Sequence, residues 1–151
     1  MKATKEIRLY NLLFPIWFLM FIPLAWLIVL PANFIIDSLV ILLTMKQLGI
    51  KFKKTMYKRT ILKVWSFGFL ADIIGAAFLF LTMFVFELGS QGDELYLTIP
   101  AILIAAVFIF ILNYKVSFKD YDKSVRFKMA LNLALLTAPY TFMIPLSWIY
   151  G

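Results

Sequence analysis

From Leu9 to Met45 the chain reads LYNLLFPIWFLMFIPLAWLIVLPANFIIDSLVILLTM, 37 residues with a single charge, Asp37. As one helix this run would be about 55 Å long, against a bilayer hydrocarbon core of roughly 30 Å, a mismatch that tilt alone does not absorb. The sequence therefore predicts two crossings, with the break at Leu30-Pro31-Ala32-Asn33. Pro31 lacks an N–H, biases its predecessor away from the α region and suits the first turn of a new helix. Pro15 and Pro23 precede it at intervals of eight and are read as kinks.

Three further apolar regions follow, Ile61 to Leu88, Leu95 to Tyr114 and Phe127 to Tyr150, each long enough for one crossing. The expected fold is an all-α polytopic bundle of about five spans, at 10–30, 32–48, 62–88, 95–114 and 127–150, forming one domain. Pro100, Pro139 and Pro145 are expected to bend the last two helices, which membrane helices tolerate when neighbours satisfy the freed carbonyls. No small-residue cleavage site follows the first apolar stretch, so a cleaved signal peptide is not expected.

Composition agrees with a membrane location. Of 151 residues 64% are apolar and 18% aromatic, where soluble domains are near half apolar. A soluble core of this length buries only about 70% of its unfolded surface. The excess apolar surface therefore calls for lipid as solvent.

Charge supplies the orientation. The net charge is +7, and with five spans every cation falls on one side: Lys2, Lys5 and Arg8, then seven from Lys46 to Lys63, then five from Lys115 to Lys128. The other side receives Glu87, Asp93 and Glu94. Such segregation places the basic loops and the N-terminus in the cytoplasm, in a multi-pass protein of the cell membrane. A four-span arrangement with an external N-terminus would misplace only three cations. Tyr10, Trp65, Tyr114 and Tyr121 are read as inner-interface residues, and Trp26, Tyr96, Trp148 and Tyr150 as outer ones.

Absences narrow the chemistry. With neither Cys nor His, there are no disulfides, thiol nucleophiles, imidazole relays or soft-metal sites. A Ser mechanism would need Lys as base, and every Lys is at or beyond an interface. Aspartyl intramembrane proteases also use two membrane acids, but Leu70-Ala71-Asp72 lacks their glycine pattern. No enzyme, cofactor or metal is expected.

The basic loops have a plain reading. Lys51, Lys53, Lys54, Lys58 and Arg59 are expected to meet anionic headgroups, each at about 1 kcal/mol near the surface. Nothing resembles a groove-reading motif, so nucleic acid is not an expected partner. Ser117-Phe-Lys-Asp120 has the spacing of a capping box leading into an interfacial turn.

Two acids lie within the apolar regions, Asp37 and Asp72. Each opposes insertion by roughly 2.5–3.5 kcal/mol at a helix centre, which makes an ionisable residue at depth a functional candidate. Asn33, Asp37 and Thr44 share one helical face, with Gln47 continuing it, and this stripe must face protein or water. Gly68, Asp72, Gly75 and Ala76 share another, and Ala130, Ala134 and Ala138 repeat on the last helix near Asn132, so small residues permit close packing there. The candidate binding residues are Asn33, Asp37, Thr44, Asp72 and Asn132, in a pocket expected to open outward through the Asn33 end. No Lys or Arg is within reach, so compensation falls to Asn33, Asn132, the hydroxyls of Thr44, Thr137, Tyr140 or Thr141, water, a bound cation or a proton. Two functions compete: a membrane-embedded binding or transport module working as a homo-oligomer or with a membrane partner, and a non-catalytic assembly subunit recognising a larger complex through its small-residue faces.

Overall fold

The computed structural model describes residues 20–51, 53–86 and 95–143, all helix, turn or coil with no strand among them. Four α-helices follow in order: α1 (Pro23–Gln47), α2 (Lys54–Phe80), α3 (Leu95–Leu112) and α4 (Lys123–Thr137). Short π-helical turns extend α2 over Leu81–Val85 and α3 over Asn113–Ser117, and a 3-10 turn, Tyr140–Met143, follows α4. Three of these elements, Pro23–Gln47, Lys54–Val85 and Tyr96–Ser117, are long and apolar enough to cross a membrane.

The largest departure from the sequence reading is at Pro31, which lies inside α1 and forms no hairpin turn. The helix begins at Pro23, where Ile22 is extended (φ −100°, ψ 110°) and the proline's missing N–H falls on a position with no intrahelical acceptor. A turn at Pro31 would strip several consecutive backbone groups of partners in hydrocarbon, at several kcal/mol each. An interior proline removes one hydrogen bond and adds one ring clash, about 3 kcal/mol. Trp65 on α2 also donates its indole N–H to the Leu30 carbonyl at 2.9 Å in the same turn. Trp65 therefore works as a deep contact between α1 and α2, with its ring 5.9 Å from that of Phe34.

α1 ends at a glycine-based stop. Gly49 takes φ +69°, its N–H donates to the Lys46 carbonyl, and the Ile50 N–H donates to the Met45 carbonyl at 2.9 Å. This double bond pattern satisfies the last carbonyls and needs a left-handed residue between them. α2 then starts at Lys54, inside the basic stretch, so Lys54, Lys58 and Arg59 stand on its exposed first turns.

Each helix packs against two neighbours, α1 on α2 and α4, α3 on α2 and α4, with α2 and α3 in the most extensive contact. Two buried apolar clusters occupy the two ends. One joins Val40, Ile41 and Met45 of α1 to Ile61 and Val64 of α2, Ile109 and Phe118 at the end of α3, and Met129 and Leu133 of α4. The other joins Met20 to Ala76 and Leu79, Leu97, Ala101 and Ile102, Ala138 and Phe142. The alternation of helix ends in these clusters makes the helices antiparallel in sequence order. Both basic stretches consequently lie at the Phe118 end.

Small residues set the closest crossings. A Cβ at Gly75 would stand 3.2 Å from the Ala101 carbonyl oxygen and 3.4 Å from the Ala105 Cβ. Ala76, Ala130, Ala134 and Ala138 are all buried within the chain. The outer faces remain apolar, with Leu24, Leu27 and Ile28 each over 70% exposed, as lipid contact requires.

Two local expectations fail at α4. Ser117 donates to the Asn113 side-chain oxygen at 2.7 Å and forms no capping box, because the π turn places it beside Asn113; α4 starts after Asp122 with no side-chain cap. Pro139 ends α4 where a bend was expected: Ala138, forced to ψ 148°, leaves the helix. The remainder of the expected 127–150 span reaches only Met143 within the described residues, and the expected 10–30 span is described from Met20 onward.

Candidate functional site

The two end clusters are separated by a polar layer that α1 and α2 supply. Asp37 is 3% exposed and Asp72 8% exposed, and both carboxylates face inward, Asp37 because its stripe on α1 faces the bundle and Asp72 because it shares a face with Gly68, Gly75 and Ala76. Asn33 donates its side-chain amide to Asp72 Oδ2 at 3.1 Å. Asp37 Oδ2 lies 3.3 Å from the point a Cβ on residue 68 would occupy. Since Gly68 is one turn before Asp72 on α2, a backbone rise of about 6 Å, the two acids meet successive turns of one seam.

One oxygen of each carboxylate, Asp37 Oδ2 and Asp72 Oδ1, is buried without a hydrogen-bond partner. Buried polar atoms are almost always satisfied; among the described residues the Ser38 hydroxyl is the third such orphan, and it lies away from the cavity the two acids share. Both acids line a cavity of about 280 Å³ together with Asn33, Gly68, Val29, Ile36, Met20, Leu136, Thr137, Ala138, Pro139, Tyr140 and Phe142. No lysine or arginine is among these residues. The nearest cations along the helices, Lys46 and Lys63, are nine residues from Asp37 and Asp72, about 13 Å.

The expected compensating groups divide sharply. Asn33 reaches Asp72, whereas the Thr137 hydroxyl donates to the Leu133 carbonyl at 2.7 Å and the Tyr140 hydroxyl donates to the Leu135 carbonyl. Thr44 is buried but stands two turns nearer the basic end, away from the cavity. Asn132 is half-buried on α4 and does not line the cavity either. Gln47 is exposed, so the polar stripe of α1 stops at Thr44. The side chain of Thr141 lies outside the described residues.

The cavity also differs from its expected shape. At the end beyond Asn33 the cavity is lined by Met20 and Phe142, each 6% exposed within the second apolar cluster, so among the described residues that end is covered by apolar side chains. It opens between α1 and α4, where Ile36, Leu136 and Tyr140 form an exposed apolar rim. Sequence reading anticipated Tyr140 only through its hydroxyl, and did not anticipate Pro139 and Phe142 in the cavity wall. The signal is Pro139 itself: it turns the chain out of α4 and lets the next 3-10 turn fold over the acids.

A second buried polar pair is at the basic end. Asn113 donates to the Ile109 carbonyl at 2.8 Å and accepts from Ser117, and every polar atom of the pair has a structural use. It closes the π turn and orients Phe118. The basic side chains Lys51, Lys53, Lys54, Lys58 and Arg59 are all exposed at this end.

No protein-family model, curated protein or solved structure matches the chain. Geometry and chemistry therefore carry the functional reading.

Proposed function

We propose that the protein is a membrane-embedded binding module whose cleft holds a positively charged group between Asp37 and Asp72. The observation that carries this reading is a pair of buried carboxylates in one cavity, with a single hydrogen bond between them and the described side chains and no cation in the cavity wall. Two uncompensated charges in a medium of low dielectric constant oppose folding by several kcal/mol each, and a cation or protons taken into the cleft remove that opposition. Transport follows if the charged group can leave on the other side, and a bundle of this size would do so with a second copy or a partner, since alternating-access machines are usually built from two related halves.

Orientation belongs to the same proposal. Both basic stretches lie at the Phe118 end, which we place in the cytoplasm of a cell-membrane protein, with Lys51, Lys53, Lys54, Lys58 and Arg59 against anionic headgroups. Because α1 uses Pro23–Gln47 for one pass, five passes with a cytoplasmic N-terminus require the chain ahead of Pro23 to make a pass of its own. A reporter fused at Met1 reads this directly: cytoplasmic activity supports five passes and external activity four.

The binding test uses the purified protein in mild detergent, melted with and without methylammonium and, separately, benzyltrimethylammonium. A ligand at one hundred times its Kd stabilises by about 2.7 kcal/mol. The wild type should gain stability and the Asp37→Asn, Asp72→Asn double variant should not; identical responses would refute the reading. The assembly-subunit alternative has weaker support, since the small-residue faces it would use, at Gly75, Ala76, Ala130, Ala134 and Ala138, pack within the chain.

A further inference from the structure

We infer that the occupant is an amphipathic organic monocation, an ammonium bearing one apolar or aromatic group, which enters the cleft sideways from the hydrocarbon between α1 and α4. This rests on the binding reading above and adds the substrate class and the route.

The donor set excludes a bare metal ion as the preferred guest. Hard cations of the calcium type require six to eight oxygen ligands, and no cluster of three or more acidic residues exists among the described residues. The cleft is instead lined by two acids, each with one buried oxygen that has no hydrogen-bond partner, against walls that are largely carbon: Val29, Ile36, Leu136, Pro139 and Phe142. Such a mixture, mostly apolar with a few fixed polar groups, suits small organic ligands, and about 280 Å³ is just under the roughly 300 Å³ at which drug-sized pockets begin. An ammonium group would neutralise one carboxylate, while its apolar substituent takes the place of hydrocarbon along the wall. Aromatic faces at Tyr140 and Phe142 add attraction for the cation.

The route follows from what is closed. Among the described residues, buried Met20 and Phe142 line the cleft at one end, and the buried cluster of Val40, Ile41 and Leu133 lies toward the basic end. Among the described residues the exposed part of the lining is lateral: Ile36 at 46%, Leu136 at 61% and Tyr140 at 50%. Since hydrocarbon bathes these side chains, a solute reaching the acids passes first through lipid. Only a cation that partitions into the bilayer can do so.

The probe is benzyltrimethylammonium, measured by equilibrium binding to the full chain in nanodiscs of zwitterionic lipid, with empty nanodiscs subtracted. Methylammonium and neopentylbenzene, the uncharged isostere, serve as comparisons. Benzyltrimethylammonium should bind at least ten-fold more tightly than either, lose ten-fold or more in Asp72→Asn, and weaken or bind more slowly in Leu136→Trp, which narrows the mouth without touching the acids. Asp37→Asn and Asp72→Glu carry the test should Asp72→Asn fail to fold. Asp-dependent binding of methylammonium with no preference for the benzyl compound would overturn the inference and leave the binding module standing. Equal benzyltrimethylammonium binding to the wild type and the double Asp→Asn variant would reveal simple partitioning and overturn it too. No Asp-dependent binding of either cation would remove both readings, and an Asp-dependent affinity and rate unmoved by Leu136→Trp would overturn the lateral route.

Discussion

Gly68 and Asp37 are matched across the α1–α2 seam: the carboxylate oxygen of Asp37 occupies the space beside Gly68, 3.3 Å from where a Cβ would be. The glycine is thus part of the acid site as well as of the helix crossing. Gly68→Ala gains helix propensity of up to about 1 kcal/mol and asks Asp37 to shift by a few tenths of an ångström. The melting temperature of this variant should stay near that of the wild type while cation binding weakens by about ten-fold. A variant that binds normally would show that Asp37 does not need its present position.

Gly75 faces a harder obstacle. A Cβ there meets the Ala101 carbonyl oxygen at 3.2 Å and the Phe142 ring at 3.2 Å, and the backbone oxygen cannot move without α3. Gly75→Ala should therefore destabilise the bundle by roughly 1–3 kcal/mol, as overpacking usually does, and Gly75→Leu should prevent folding. Denaturant unfolding in detergent measures the first; loss of monodisperse protein on gel filtration reports the second.

Arg126, on the first turn of α4, is held against the π turn of α3. Its Nε donates to the Tyr114 carbonyl, and its guanidinium stands 4.4 Å from the centre of the Tyr114 ring. Arg126→Ala should cost about 1–2 kcal/mol. Arg126→Lys should recover only part of that, because an ammonium lacks the flat face and the fixed donor. Thermal melts of the three proteins decide it.

Tyr121, in the loop between α3 and α4, has its phenol pushed above the ordinary range, first by burial and then by the neighbouring Asp120 carboxylate. The folded state therefore holds this proton more tightly than the unfolded state, so the stability it contributes is complete below about pH 10 and is lost as pH rises further. The phenolate difference spectrum between wild type and Tyr121→Phe should place the midpoint above 10. A midpoint at or below the model-compound value would contradict the packing of Phe118 against Tyr121, whose ring centres are 6.3 Å apart.

The membrane class and the polar positions were legible because they depend on composition and on helical period alone. Asp37 and Thr44 repeat along α1 at a spacing that any helix places on one side, and both are buried as that spacing demands. The Asp72 face on α2 follows by the same reasoning. Proline was read less well, since its effect depends on surroundings. Pro31 could end a helix in water, where freed backbone groups find solvent, but between apolar neighbours the helix retains more hydrogen bonds by continuing. Pro139 was expected only to bend its helix, and it ends it.

Sequence alone determined that this chain prefers hydrocarbon to water, that its cations gather in two stretches, and that two acids lie deep on inward faces, because each of these is a property of local order and transfer free energy. Tertiary structure decided that the acids share one cavity, that Asn33 satisfies only one of their oxygens, and that the exposed rim of this cavity comes from Ile36 on α1, Leu136 on α4 and Tyr140 in the turn after it. Those outcomes depend on how four helices cross and on the turn after Pro139, which is fixed by contacts between residues far apart in the chain.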